Sequence, residues 1–560
     1  MPNCKNCNQP FTITEQDRAF YRKIEVPEPT WCPACREMRR MAWCNEGVLY
    51  SGKCGLCRRN IISEFSPDNP RKVYCLNCWW GDKWDSMEYA LELDLSGSFF
   101  NQLHELELRV PHACVSSDLI SINSEYTHHA GQNKNCYLIY HATFNEDCYY
   151  SYGVKKDKDC IDVHNCFSSE LCYECVDVHD CYGLAWSQDC VKCSSSYWLR
   201  DCVGCSDCFM CVGLRQKKHC FLNEQFTQKE YEKKLSAVNT GSFIKVDECQ
   251  KQFLQLQAEH IYRFAQMNKT QNSSGNYLYH AFGSNFCFDC NEIEQSNYCS
   301  QMQLKTKDCY DMYQFGINLE LSYEGAMIGV DIFNSHFCFC CIDKCSNLLY
   351  CIESYTSDNC FLCSSIQKKK YCILNKQYSE KEYFELRNKI IAKMTIDGEY
   401  GEYFPVRMSP FGYNETTAQL WFPLTKEAAV AKGWPWRDNL PGTFGRETLK
   451  NIPDDIKDVR DDITKEILAC VGCKKNYKIL VQELDFYRRN SYPIPRYCFE
   501  CRRIARMKKR NQRYLYQRQC MCDRLGHQHS GRCAVEFETT YAPERPEKVY
   551  CEACYQKEIY

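Results

Sequence analysis

Apolar and polar positions along the middle of this 560-residue chain repeat in triplets, not with the 3.6-residue period of a helix. Fourteen cysteines lie between Cys136 and Cys220, and every separation between them is a multiple of three. Asp-Cys pairs recur at 159–160, 180–181 and 201–202, a period of 21 residues. Short runs of Cys, Tyr, Val and Leu alternate there with Asp, Asn, Ser and Gly, the residues that suit corners. A fixed period in this range predicts a solenoid whose coils bury their apolar sides against one another. The expected fold is mainly β, a right-handed parallel β-helix with cysteines stacked inside. A bundle of polyproline-like strands shares the three-residue period and is the competing reading.

The pattern occurs twice. Lys217-Lys218-His219-Cys220-Phe221-Leu222-Asn223 is echoed 152 residues later by Lys369-Lys370-Tyr371-Cys372-Ile373-Leu374-Asn375. Each copy runs into a capping box, Thr227 with Glu230 and Ser379 with Glu382, which predicts a helix closing each coil stack. Helices are also expected over 85–108, with Leu103, Leu106 and Leu108 and a stop at Pro111, and over 248–267, with Phe253, Leu254, Leu256, Ile261 and Phe264. Another runs from Thr425 to Lys432, ahead of Gly433. An acidic stretch, 451–463, is expected to lie against the C-terminal end.

Cysteine pairs flank this middle in one order at both ends. Cys4/Cys7, Cys32/Cys35, Cys54/Cys57 and Cys75/Cys78 are answered by Cys470/Cys473, Cys498/Cys501, Cys520 and Cys533, and Cys551/Cys554. The shift is 466 from Cys4 to Cys54 and 476 from Cys57 onward, which places a ten-residue insertion between Cys520 and Cys533. Pairs of thiolates from tight turns, closed by a distant second pair, are the spacing of tetrahedral zinc, so about four Zn2+ are expected, each held by four cysteines. Such closed sites leave no position for a reacting water. Cys522, His527 and His529 fall in the insertion as extras, and Cys522 in place of Cys520 is an alternative ligand.

The chain therefore divides into zinc modules at 1–47 and 48–80, a helical connector at 81–111, and a cysteine-rich β-solenoid half with its capping helix at 112–238. A helical linker at 239–275 leads to a second half with its cap at 276–395. An aromatic and proline-rich connector at 396–466 precedes zinc modules at 467–510 and 511–560. The paired modules read as zinc ribbons or treble clefs.

The 46 cysteines exclude little by themselves. The polar start Met-Pro-Asn-Cys and the lack of a long apolar run favour cytoplasmic thiols over a secreted disulfide scaffold or a membrane protein. Net charge is -3, but from Ile467 to Gln519 fourteen Lys/Arg face three Asp/Glu. Arg502, Arg503, Arg506, Lys508, Lys509, Arg510, Arg513 and Arg518 lie there among Tyr497, Phe499, Tyr514 and Tyr516. Cations for phosphates and aromatics for unpaired bases predict a nucleic-acid surface, RNA favoured over DNA, with Tyr514 among its stacking residues. The alternatives are that these cations balance zinc–thiolate charge or that the basic end meets an acidic protein face, making the chain an interaction scaffold.

Two further chemistries come from the middle. Cys202, Cys205, Cys208 and Cys211 resemble an iron–sulfur run, but the final gap and the following Val212 depart from it, and buried apolar thiols explain the wider triplet pattern. Cys338, Cys340, Cys341 and Cys345 are too irregular to assign. Asp159, Asp162, Asp177, Asp180, Asp189, Asp201 and Asp207 could serve a carbohydrate-active enzyme, yet Asp at a corner is ordinary turn chemistry. No catalytic residue is assigned.

The first module, with Cys4-x-x-Cys7, Phe11-Thr12-Ile13, Phe20-Tyr21, Pro27, Pro29 and Cys32-Pro33-x-Cys35-Arg36, resembles the small bacterial zinc-ribbon domain. Val73-Tyr74-Cys75-x-x-Cys78-Trp79-Trp80, Ser409-Pro410-Phe411-Gly412-Tyr413-Asn414-Glu415 and Tyr541-Ala542-Pro543-Glu544-Arg545-Pro546-Glu547 extend that likeness over most of the chain. Together they resemble multi-zinc-ribbon proteins of candidate-phyla bacteria. The resemblance implies metal binding and a cytosolic setting, and it carries no activity over.

Overall fold

The computed structural model describes residues 1–527 and 529–559. Its architecture is multi-domain and mainly β, built on an eleven-stranded and a thirteen-stranded sheet. In the first sheet Thr127 lies opposite Ile139, Tyr152 opposite His164 and Phe209 opposite Phe221, all in parallel. The step is twelve residues, four triplets. The 21-residue recurrence of Asp-Cys is seven triplets and matches no pairing register, so the expected period is corrected to twelve.

The triplet has a backbone cause. Asp159, Asp162, Asn165, Ser168, Leu171, Glu174, Asp177 and Asp180 all have φ between 49° and 58°. A left-handed residue without glycine costs roughly 1 kcal/mol or more. The ladder holds it there: the amides of Asp159 and Asp162 donate to the carbonyls of Glu146 and Tyr149 in the preceding repeat, both at 3.1 Å. The next residue of each triplet turns inward. Cys136, Cys148, Cys160, Cys166, Val178, Cys190, Leu199 and Cys211 belong to one continuous buried cluster, and Cys287, Cys290, Cys299, Cys338, Cys351 and Cys360 to its counterpart in the second sheet.

The second sheet departs from an open stack. Its register opens at eleven, Met267 opposite Leu278, is twelve where Gly275 lies opposite Cys287, and rises to thirteen by Tyr310 opposite Tyr323 after a bulge between Asn291 and Ile293. Ser300–Lys307 is long enough to pair through its start with Tyr310–Gly316 and through its end with Leu319–Glu320. The pairing continues through Tyr323–Gly329, His336–Phe339, Ser346–Leu349 and Ile332–Phe333 and returns to Leu319–Glu320. Seven parallel strands thus close into a barrel, where the sequence predicted open coils.

Helices close each sheet. Gln228–Ser236 and Glu380–Asp397 start at capping boxes on Thr227 and Ser379. Two expected helices are shorter than their apolar patterns. Phe99–Arg109 begins only where the Ser98 hydroxyl caps it, and 85–98 holds a single short turn, Ser86–Tyr89. Phe243–Glu259 ends before Ile261, which starts a strand, so Ile261 and Phe264 are not on that helix.

That strand exposes a duplicated plan. Ile261–Arg263 pairs in parallel with Lys548–Tyr550, as Pro111–Ala113 pairs with Lys72–Tyr74. The first cysteine module, however, packs on the second sheet: Phe20 stacks on Tyr310 at 3.9 Å. The third packs on the first sheet, where Tyr492 stacks on Tyr173 at 4.9 Å. The docking is crossed. The acidic stretch reaches the C-terminal end through Asp461, 2.5 Å from Arg488, as expected.

Candidate metal centres

The terminal cysteines converge into the expected four groups: Cys4, Cys7, Cys32 and Cys35; Cys54, Cys57, Cys75 and Cys78; Cys470, Cys473, Cys498 and Cys501; and Cys520, Cys533, Cys551 and Cys554. Within each group the sulfurs lie within 4.8 Å of one another. Three knuckles are built alike. The amides of Asn8, Arg58 and Lys474 donate back to the carbonyls of Cys4, Cys54 and Cys470 at 2.8–3.0 Å. Asn8, Arg58 and Lys474, each directly after the second cysteine, adopt φ of 59–64°, the left-handed residue that closes the turn. The closing pair begins a helix, with Cys32, Cys75 and Cys498 at the N-cap. Helix N-termini favour thiolate.

The edge lengths test the metal. Cys7 to Cys32 and Cys57 to Cys75 are 3.8 Å apart at sulfur, Cys473 to Cys498 3.6 Å, and Cys533 to Cys551 4.0 Å. A disulfide requires about 2.05 Å. Four sulfurs around Zn2+ at about 2.3 Å define tetrahedral edges of about 3.75 Å, so the donors fit. Protons alone serve these groups badly. The Arg59 amide and neighbouring thiols draw Cys57 down to about 6, while burial and the adjacent cysteines push Cys78 up to about 12. Four thiolates this close repel one another, and a cation at their centre would offset that repulsion.

The fourth group confirms the register. Cys520 donates its amide to the carbonyl of Val535 at 2.9 Å, as Cys54 does to Arg59, and Cys533 stands where Cys57 does. Cys522 belongs to a further group with His527, His529 and Cys554.

The basic residues do not form a nucleic-acid surface. Arg502 and Arg506 meet Asp162 at 3.0 and 2.7 Å, and Arg510 meets Asp177 at 2.9 Å and also Asp289. Arg513 bridges Glu37 and Asp289, and Arg503 lies over the rings of Tyr140 and Tyr152. Arg518 donates to the carbonyls of Tyr541 and Ala542, and Lys509 is half-buried. Of the nine residues, Lys508 and Tyr514 alone are exposed. Although burial opposes ionisation of Asp289, Arg510 and Arg513 outweigh it and hold the carboxyl at about 2. The positive run is therefore an internal docking element, and its acceptors are acids of the two sheets.

A signal for this lay in the duplication itself. Arg36 and Arg40, 466 positions before Arg502 and Arg506, meet Asp311 and Glu324, both at 2.8 Å. The tyrosine hydroxyls match too: Tyr298 donates to Asp17 and Tyr150 to Glu483, each at 3.0 Å. The candidate catalytic acids are absorbed likewise. Asp189 pairs with Arg200, Asp201 with Arg215, and Asp159 lies 3.7 Å from Arg489. Asp180 and Asp207 occupy left-handed corners.

The interior cysteines act as thiol donors. Cys202 Sγ lies within hydrogen-bond range of the carbonyls of Arg200 and Cys211, and Cys211 Sγ of those of Phe209 and Cys220, so each single S–H has an acceptor. Cys205 and Cys208 donate to Val203 and Ser206. Ser151 and Ser187 occupy the same kind of position and donate in the same way. Replacing Cys202 and Cys205 by serine is therefore expected to leave metal content unchanged. Iron lost from the double variant, read by elemental analysis, would reverse this assignment.

One feature carried no sequence signal. A cleft of about 620 Å³ opens between the sheets and the second module, lined by Trp79, Trp80, Phe144, Phe167, Phe315 and Tyr355. Its walls come from segments some 200 residues apart, and no local period marks them. Among the described residues no helix is long and apolar enough to cross a membrane.

No family model matches the chain, and no curated protein matches it. Among solved structures, a chain assigned as an acetyltransferase from Desulfovibrio desulfuricans G20 aligns with 40% of this chain and 66% of its own length at 10% identity. Its TM-score is 0.10, a likeness too weak to carry an argument for fold or function.

Proposed function

We propose that this chain is a zinc-binding scaffold, in which closed zinc–thiolate centres at both ends fasten two cysteine-lined parallel stacks together. The observation that carries the reading is that in each group one sulfur–sulfur edge is 3.6–4.0 Å, the edge of a zinc tetrahedron, with every other sulfur within 4.8 Å. Thiolate-only donors also suit iron, and colour separates the two. Each twelve-residue step reads as one circuit of a β-helical coil, which would make the stacks long platforms. The partner class that fits is a protein, because the arginines that would meet phosphate are engaged inside the chain.

Elemental analysis of the purified chain is expected to return at least four zinc ions and no iron, with a colourless solution. Iron at stoichiometric level, or no metal at all, would overturn the reading. Association with nucleic acid that survives high salt would favour the other partner class.

A further inference from the structure

We infer that the last module holds two metal ions, not one, sharing the Cys554 thiolate. The inference rests on the zinc reading above and extends it to the ten-residue insertion that the N-terminal copy lacks.

The second donor set is Cys522, His527, His529 and Cys554, whose ligand atoms lie within 4.8 Å of one another. Cys522 Sγ is 3.3 Å from His527 Nδ1, and Cys554 Sγ is 3.5 Å from His529 Nε2. A tetrahedral centre with Zn–S of about 2.3 Å and Zn–N of about 2.05 Å has sulfur–nitrogen edges of about 3.55 Å. Both contacts are close to that length.

The far nitrogens are held as ligands require. His527 Nε2 lies 3.0 Å from the Glu558 carboxylate, and His529 Nδ1 lies 2.8 Å from the carbonyl of Gly531. Each partner accepts a hydrogen bond, which puts the N–H on that nitrogen and leaves His527 Nδ1 and His529 Nε2 with free lone pairs. Those are the two atoms that face the sulfurs. A carboxylate or carbonyl behind a ligating imidazole is the usual support of a metal site. Lys557, also on the Glu552–Ile559 helix, donates to the Gly526 carbonyl, so one helix carries Cys554, anchors the loop and supplies Glu558.

Electrostatics favour filling both sets. Four thiolates around one Zn2+ leave a charge of about -2. A second Zn2+ with the Cys522 thiolate and two neutral imidazoles adds about +1 and brings the pair to about -1. Cys554 is buried, within reach of both groups, and its thiolate has lone pairs for two cations.

The test is metal content of the full chain, purified with zinc, beside the double variant His527→Asn, His529→Asn and the single variant Cys522→Ser. Both variants are expected to fold with unchanged circular dichroism and to carry one zinc ion fewer than the parent. Equal content in parent and variants would overturn the second site while leaving the four cysteine centres standing. A parent with no metal would remove both readings. In the cadmium-substituted chain, two resonances coupled to each other through Cys554 are expected, and two uncoupled resonances would overturn the sharing.

Discussion

Stripping metal from the folded chain is expected to unfold both ends while the central sheets keep their strands. Apart from their docking on the sheets, the modules have little to hold them. Their helices, Pro33–Met41 and Phe499–Lys508, are nine and ten residues long, below the length at which an isolated helix persists in water. Structural zinc supplies about 10–16 kcal/mol per site at neutral pH, more than modules of this size store otherwise. The effect does not stop at the modules. When Phe499–Lys508 melts, Arg502 and Arg506 leave Asp162, and a buried carboxylate loses its partners. Chelation followed by limited proteolysis should show cleavage within 1–80 and 467–559, with the segments between protected. A metal-free chain that resists cleavage at both ends would sink the expectation. Acid should act as chelator does. Bound thiolates carry no protons, whereas unfolded thiols titrate near 8.5, so the unfolded state binds more protons and stability falls with falling pH.

Replacing Arg506 by alanine should cost roughly 3–5 kcal/mol, with the metal still bound. Its side chain is 1% exposed, it lies 2.7 Å from Asp162, and it also donates to the carbonyl of Tyr150 at 3.0 Å. The loss does not measure what the ion pair contributes. It measures a buried carboxylate left to Arg502 alone, in the core between sheet and module. The double variant Arg506→Met, Asp162→Asn should not recover the loss, because it leaves the buried Arg502 without its nearest carboxylate. Lys508→Ala, two residues on and exposed, should change stability by less than about 0.5 kcal/mol. Urea unfolding of the three variants reads all of this. Equal effects from Arg506→Ala and Lys508→Ala would contradict the docking.

The metal groups were the most legible part of the sequence because ligand chemistry is local and tolerates few residue types. Two cysteines three apart need one turn, and the +466 and +476 registers located even Cys533. The triplets were legible as well, since a left-handed corner at every third residue forces the inward position to recur. Their period was misread because Asp-Cys marks a corner followed by an inward thiol, and which corners carry Asp is not fixed by the twelve-residue pairing register. The basic run was misread for another reason. Charge density says that arginines need anions, not whether those anions belong to a ligand or to Asp162, Asp177 and Asp289 hundreds of residues away. Seeing that Arg36 and Arg40 repeat as Arg502 and Arg506, while Asp311 repeats as Asp162, would have paired them.

Crossed docking also sets an order in time. Arg36 is made 275 residues before Asp311, its partner, while Asp162 precedes Arg506 by 344. At about 5–20 residues per second, the first module leaves the ribosome some 15–55 s before its acceptor exists. Until then it stands without its docking surface. The other end meets the reverse problem: its acceptor is finished early and stands open until the final cysteines arrive. Neither half can be completed alone, because each sheet takes its docking module from the far side of the other.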